Sequence, residues 1–201
     1  QRFIEALDDR FDWLQLASQP CWDPREFSLT SKVRNRVKKA EKAGLAIRQV
    51  AELDPQRVDP LLKVWERQHP LPPMRFMVTL DVYRYAAEKL YLIAEQQGEL
   101  RALAAAVPIY GLNGWLLEDL IIDRQAAPGA AEALIDRFMK VTGELGCPVA
   151  SLGMVALAGV GHDPRHRILA WLLRACYRLL DSLYSFQGLY RFRSKLNPDF
   201  W

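Results

Sequence analysis

Three apolar runs, Leu90 to Glu95, Leu100 to Tyr110 and Trp115 to Ile122, follow one another almost without interruption. Only the polar turn Gln96-Gln97-Gly98-Glu99 and the turn Gly111-Leu112-Asn113-Gly114 separate them. Strands joined by connections this short fold back on one another. The stretch therefore predicts an antiparallel meander, and the remaining elements must cover it on both faces.

Hydrophobic spacing supplies those elements. Ser31 is placed to cap a helix running to about Ala43, closed by Gly44. Leu45 to Val50 alternates as a strand, and a helix from Asp54-Pro55 to about Gln68 carries Leu61, Leu62 and Trp65 at helical spacing. Pro70-Leu71-Pro72-Pro73 ends it, and a third helix is expected from about Asp81 to Lys89. After the meander, Pro128-Gly129 opens a helix from about Ala131 to Leu145, with Leu134, Phe138, Val141 and Leu145 as its apolar face. Gly146 stops it, Val149 to Leu152 is a short buried strand, a helix spans about Arg165 to Leu180, and Leu183 to Phe186 makes a last strand. This order is similar to the GNAT (acyl-CoA N-acyltransferase-type) α/β fold, a mixed β-sheet flanked by helices that splays between its fourth and fifth strands to admit an acyl donor. Residues 1–201 are expected to form one such domain, with 1–44 an N-terminal extension and basic helix.

A chain of 201 residues, half of them apolar, can bury a full core. Its apolar stretches are broken well before the roughly 20 residues of a bilayer span. It opens on Gln, which suggests part of a longer protein. Cys21, Cys147 and Cys176 lack the spacing of a zinc or redox site, so reduced thiols in the cytoplasm are expected. His162 and His166 are separated by Pro164 and read as loop and cap residues, while Ser151 and Cys147 have no histidine partner for a triad. The net charge of +3 conceals a cluster of Lys32, Arg34, Arg36, Lys38, Lys39 and Lys42. Such a cluster suits a polyanionic partner, although a solvated helix face carries the same pattern.

Four stretches resemble the C-terminal domain of bacterial phosphatidylglycerol lysyltransferases. The basic segment Lys32 to Gly44 resembles LRNxxxRAxxxG, and a second match runs from Glu118-Asp119-Leu120 through Ala127-Pro128-Gly129 to Glu132. Leu152 to Gly159 is close to LGMAPLAG, and Tyr184 to Trp201 follows YxFxGLxxFKxKxxPxxW. The resemblance implies transfer of an aminoacyl group from aminoacyl-tRNA to the headgroup of an anionic phospholipid, with no metal or organic cofactor. It also implies a place in the cytoplasm or at the inner face of the membrane. The chain departs from the pattern where Ile122 replaces an arginine of the central strand, Ala156 replaces a proline and Arg193 replaces a lysine.

Attack of an alcohol on an ester needs a proton acceptor, oxyanion donors and cations for phosphates. Asp119 is the candidate catalytic carboxylate, because an ionised group among apolar neighbours needs a partner or a task; an outward-facing strand position would explain it too. Strand alternation turns Glu118 the opposite way, so only one of the two is expected to face the cleft. Candidate substrate-binding residues are Arg36, Lys38 and Lys39 on the basic helix, Arg124 as a substitute for the missing arginine, and Gly153 as an oxyanion loop or a plain tight turn. Arg191, Arg193 and Lys195, which alternate with Tyr190 and Phe192, complete the set as phosphate ligands. Gln125 to Ala130 has the place of a coenzyme A loop, but Pro128 removes a donor there. An acyl-CoA-dependent N-acetyltransferase and a non-catalytic RNA- or lipid-binding module remain the alternatives.

Overall fold

The computed structural model describes residues 17–68, 80–156 and 186–201. A two-stranded ladder pairs β1 (Ala17–Ser18) with β8 (Val155–Ala156). The main sheet among the described residues contains β2 (Cys21–Trp22), β3 (Leu45–Val50), β4 (Leu90–Gln96), β5 (Glu99–Ile109), β6 (Gly114–Ile122) and β7 (Ala150–Ser151). They lie in the order β2-β7-β6-β5-β4-β3, antiparallel except for β6 and β7, which run parallel. The expected meander is β4-β5-β6. Its first turn places Gln97 and Gly98 at φ values of 55° and 80°, the two-residue conformation whose twist matches that of the strands it joins.

Helices cover both faces. On one side α1 (Ser31–Lys42) and α3 (Ala130–Glu144) bury Val33, Val37, Leu134 and Phe138 against Leu92, Ala102, Ala104 and Ala106. Four alanines of β5, at 102, 104, 105 and 106, are fully buried, and their small side chains let the covering layers approach closely. On the other side α2 (Pro55–Gln68) sets Val58 and Leu61 on Tyr91, Ile93, Leu103 and Ile121. Among the described residues no helix is long and apolar enough to cross a membrane.

Several expectations need correction. Thr30, not Ser31, caps α1, its Oγ1 accepting from the Val33 amide at 3.4 Å. No helix spans Asp81 to Lys89; only a 3-10 turn forms at Ala86–Glu88, after Tyr85 in the left-handed region. Tertiary contacts take over there, as the Tyr91 hydroxyl and the Lys89 ammonium donate to the carbonyls of Val82 and Asp81. Leu145 caps α3 and is exposed, so it leaves the apolar face. Cys21–Trp22, unpredicted, forms the sheet edge beyond β7. Phe186 begins a helix, α4 (Phe186–Ser194), instead of closing a strand. Arg191 and Arg193 are therefore on a helix rather than alternating along an extended segment. Pro70 to Pro73, His162, His166, Cys176 and the predicted helix 165–180 lie outside the described residues.

Candidate active site

The parallel pair β6 and β7 is short. Only Trp115 with Ala150 and Leu116 with Ser151 are in register, and then the strands part. Gly153, at φ 80°, turns the chain away at the end of β7. Into the gap opens a cavity of about 320 Å³ lined by β6, by Trp65 and Ile135 from the two helix layers, and by Leu189, Phe192 and Arg193 of α4. Helical spacing places 189, 192 and 193 on one face.

The floor of this cavity is a β-bulge. Ala105 faces Asp119 and Ala106 faces Leu117, so Glu118 is the extra residue. Alternation is broken at that point: Leu117 packs with the α1/α3 layer, while Asp119 and Ile121 are on the α2 side. Contrary to the strand-parity expectation, both Glu118 and Asp119 line the cavity. Glu118 is the exposed member and pairs with Lys89 at 3.0 Å. Asp119 is only 6% exposed and, among the described residues, its carboxyl makes no hydrogen bond or ion pair. Burial first and the neighbouring Glu118 second push its pKa up to about 6, against the pull of Lys89. Such a group is ionised at neutral pH and still basic enough to take a proton.

Arg193 reaches the same cavity from α4. Its Nη1 donates to the Gly153 carbonyl at 2.6 Å, and among the described residues it has no acidic partner. Burial alone lowers its pKa to about 10, so the guanidinium stays charged at neutral pH. A desolvated cation without a counter-ion is a ready anchor for a phosphate or carboxylate.

The other predicted residues are placed elsewhere. Arg36 and Lys195 both bind Glu132 Oε1, at 2.7 and 2.8 Å. Lys38 and Lys39 are exposed on α1, and Arg191 is exposed on α4. Arg124 follows the end of β6 in a turn and donates to the Gln68 carbonyl at 3.0 Å. The Gly153 amide donates to Ser151 Oγ at 3.2 Å, which makes it part of a tight turn. Ser151 itself is buried and donates to the Pro20 carbonyl at 2.9 Å, with Gln19 donating to it. Among the described residues no cluster of His, Cys, Asp and Glu is arranged to hold a metal.

Glu132, which closes the second of the matching stretches but is given no role by the sequence reading, is a structural centre. Burial raises its pKa, but the hydrogen bonds from Lys195 and Arg36 outweigh that and hold it below the usual value. Its stabilising contribution is thus present above the unfolded-state value of 4.5 and is lost as pH falls through the lower folded value. Glu132→Gln should cost about 2 kcal/mol at pH 7, less than a fully buried pair because both cations reach water. Urea melts should show the deficit shrinking as pH falls below 4.5; a deficit that did not change with pH would show that packing, not charge, is what was lost.

The sequence as a whole matches the family described as phosphatidylglycerol lysyltransferase, C-terminal, over residues 1–200. The chain belongs to this family. Two solved structures share its GNAT-like fold at a TM-score of 0.71: the C-terminal domain of a protein described as a putative lysylphosphatidylglycerol synthetase of Agrobacterium fabrum, and L-PGS of Bacillus licheniformis. They are 18% and 19% identical, over 93% and 91% of this chain. A conserved Bacteroides thetaiotaomicron protein of unknown function matches at 0.61, with 11% identity over 98% of the chain and 62% of its own length. This member of the lysyltransferase family spans 57% of the length of each of the first two. Comparison with curated proteins found no match.

Proposed function

We propose that this lysyltransferase-family domain transfers an aminoacyl group from aminoacyl-tRNA to a hydroxyl of an anionic phospholipid headgroup, with Asp119 as general base and Arg193 as phosphate anchor. What supports this is the pairing, in one apolar cavity of a family member, of a carboxyl and a guanidinium that have no oppositely charged partner in contact among the described residues. Asp119 takes the proton of the acceptor hydroxyl as its oxygen attacks the ester carbonyl. A new ester C–O bond forms, the bond to the tRNA ribose breaks, and Asp119 returns the proton to the departing ribose oxygen. Arg193 holds the headgroup phosphate, so that the hydroxyl presented to Asp119 is positioned rather than free.

Incubation with labelled aminoacyl-tRNA and phosphatidylglycerol vesicles tests the reading. Label should move to the lipid with wild-type protein and fall at least about 100-fold with Asp119→Asn, the low end of the range for a lost general base. Arg193→Ala should raise the KM for the lipid far more than that for the tRNA. Transfer that survives both substitutions at wild-type rate would end the proposal.

The domain is proposed to work without coenzyme A. α1 docks on the start of α3 so closely that a Cβ at Gly129 would collide with the Arg36 carbonyl oxygen, and the Ala127 amide is taken by Gln96 Oε1 at 3.1 Å. Acetyl-CoA should accordingly leave the melting temperature unchanged. A rise of several degrees at millimolar ligand would return the acetyltransferase alternative.

A further inference from the structure

The cations that the sequence scatters over α1 and the C-terminal segment meet on one outer surface. Glu132 makes the junction: Arg36 of α1 and Lys195, just beyond α4, share its Oε1, and the Thr30 hydroxyl donates to the Lys195 carbonyl at 3.4 Å. From that junction Lys32 and Lys39 continue along α1, three or four residues either side of Arg36, and Arg191 continues along α4, four residues before Lys195. Glu132 neutralises only one of the two cations it binds. Among the described residues Lys32, Lys39 and Arg191 have no acidic partner and are exposed.

Next to Arg191 the surface changes character. Tyr190 and Trp201 stack with ring centroids 4.8 Å apart and remain 42% exposed each, and Phe200 beside them is 55% exposed. Met154 is 62% exposed on the segment that Arg193 ties to α4 through Gly153. A stacked pair of exposed aromatic rings beside a cationic stripe, with further exposed apolar side chains on neighbouring segments, is uncommon on a surface that meets only water. Phosphates along an RNA stem would engage the cations and leave Met154, Phe200 and Trp201 without a role. A bilayer uses both, the cations at its anionic headgroups and the aromatic rings at the interface.

We propose that α1 and α4 together form a docking surface for an anionic lipid bilayer, with Lys32, Lys39 and Arg191 against the headgroups and Tyr190, Phe200 and Trp201 in the interfacial layer. This goes beyond the transferase reading and does not depend on it, since docking needs neither donor nor chemistry. It orients the molecule, because Leu189, Phe192 and Arg193 of the same helix α4 line the cavity.

Sedimentation with vesicles tests it in the absence of any donor. The whole chain should bind vesicles of equal parts phosphatidylglycerol and phosphatidylcholine, bind pure phosphatidylcholine weakly, and lose binding as salt is raised. Lys32→Glu with Arg191→Glu should weaken partitioning at least about 30-fold, from roughly fivefold for each basic residue lost at an anionic surface compounded over two sites. Tyr190→Ser with Trp201→Ser should weaken it while leaving the salt dependence in place. The charge-reversed pair touches no described partner, so a melting curve like that of wild type is expected, and the salt titration reads the same attraction without mutation. Binding that ignores both salt and charge reversal overturns the proposal, as does tight binding to a blunt RNA duplex with none to vesicles. Loss of transfer activity with vesicle binding intact would count against the catalytic reading alone.

Discussion

Asp119→Asn should make the protein more stable at pH 8 while removing its proposed chemistry. The sign follows from the direction of the shift. Folding raises the carboxyl from 3.8 to about 6, so the folded state holds the proton more tightly than the unfolded chain. Whatever this group contributes is fully present below the unfolded value of 3.8 and is lost as pH rises through about 6. Above that, the fold carries a buried carboxylate whose desolvation costs about 3 kcal/mol, at about 1.4 kcal/mol for each pH unit by which the pKa is raised. A neutral amide of the same shape removes the cost. The advantage of the variant should be near 3 kcal/mol at pH 8 and about half that at pH 5, where the folded wild type is already largely protonated. Urea denaturation at the two pH values measures it. An Asn variant that is less stable than wild type at pH 8, or whose advantage does not change with pH, would mean that Asp119 is satisfied by a partner and not held ready for one. The wild-type transfer rate should rise with pH through about 6, following ionisation of the base.

That cost is also why Asp119 stands out in the sequence. A carboxylate between Leu117, Leu120 and Ile121 breaks a strand pattern without a compensating charge nearby in sequence, and such conflicts concentrate at working sites. The meander is legible for a different reason: Gln97-Gly98 is a turn whose backbone demand Gly meets locally, and local chemistry can be read locally. Features made by distance cannot be read that way. The bulge at Glu118 arises from pairing with β5, and it overturns the parity argument that allows only one carboxyl into the cleft. Glu132 binds residues 96 and 63 positions away, and no spacing rule connects them. The C-terminal segment is an intermediate case. Arg191, Arg193 and Lys195 look alternating when taken alone, yet Leu189, Phe192 and Arg193 already have the spacing of a helix face, and that is the face that lines the cavity.

The largest destabilisation is expected where no side chain exists. Gly129 precedes α3 at φ 104°, and an added Cβ would collide with the Arg36 carbonyl oxygen and stand 2.8 Å from its carbonyl carbon. Both obstructing atoms belong to the backbone of α1, so nothing can rotate out of the way. Gly129→Ala therefore combines left-handed strain of about 1–2 kcal/mol with a steric conflict of about 1–3 kcal/mol, for a total of about 2–5 kcal/mol. In a domain of this size that should lower the melting temperature by roughly 10 °C. Gly44 is the internal control, because it has φ 83° with nothing within 4 Å of an added Cβ. Gly44→Ala should show the strain alone, about 1 kcal/mol. Equal losses for the two variants would mean that the approach of α1 to α3 is not close-packed in solution. If the difference is found, it carries a functional corollary: α1 accommodates the new methyl group by moving off α3, which pulls Arg36 from Glu132 and separates the two halves of the cationic surface. Gly129→Ala should then weaken binding to phosphatidylglycerol vesicles even at temperatures where it remains folded, whereas Gly44→Ala should bind as wild type does.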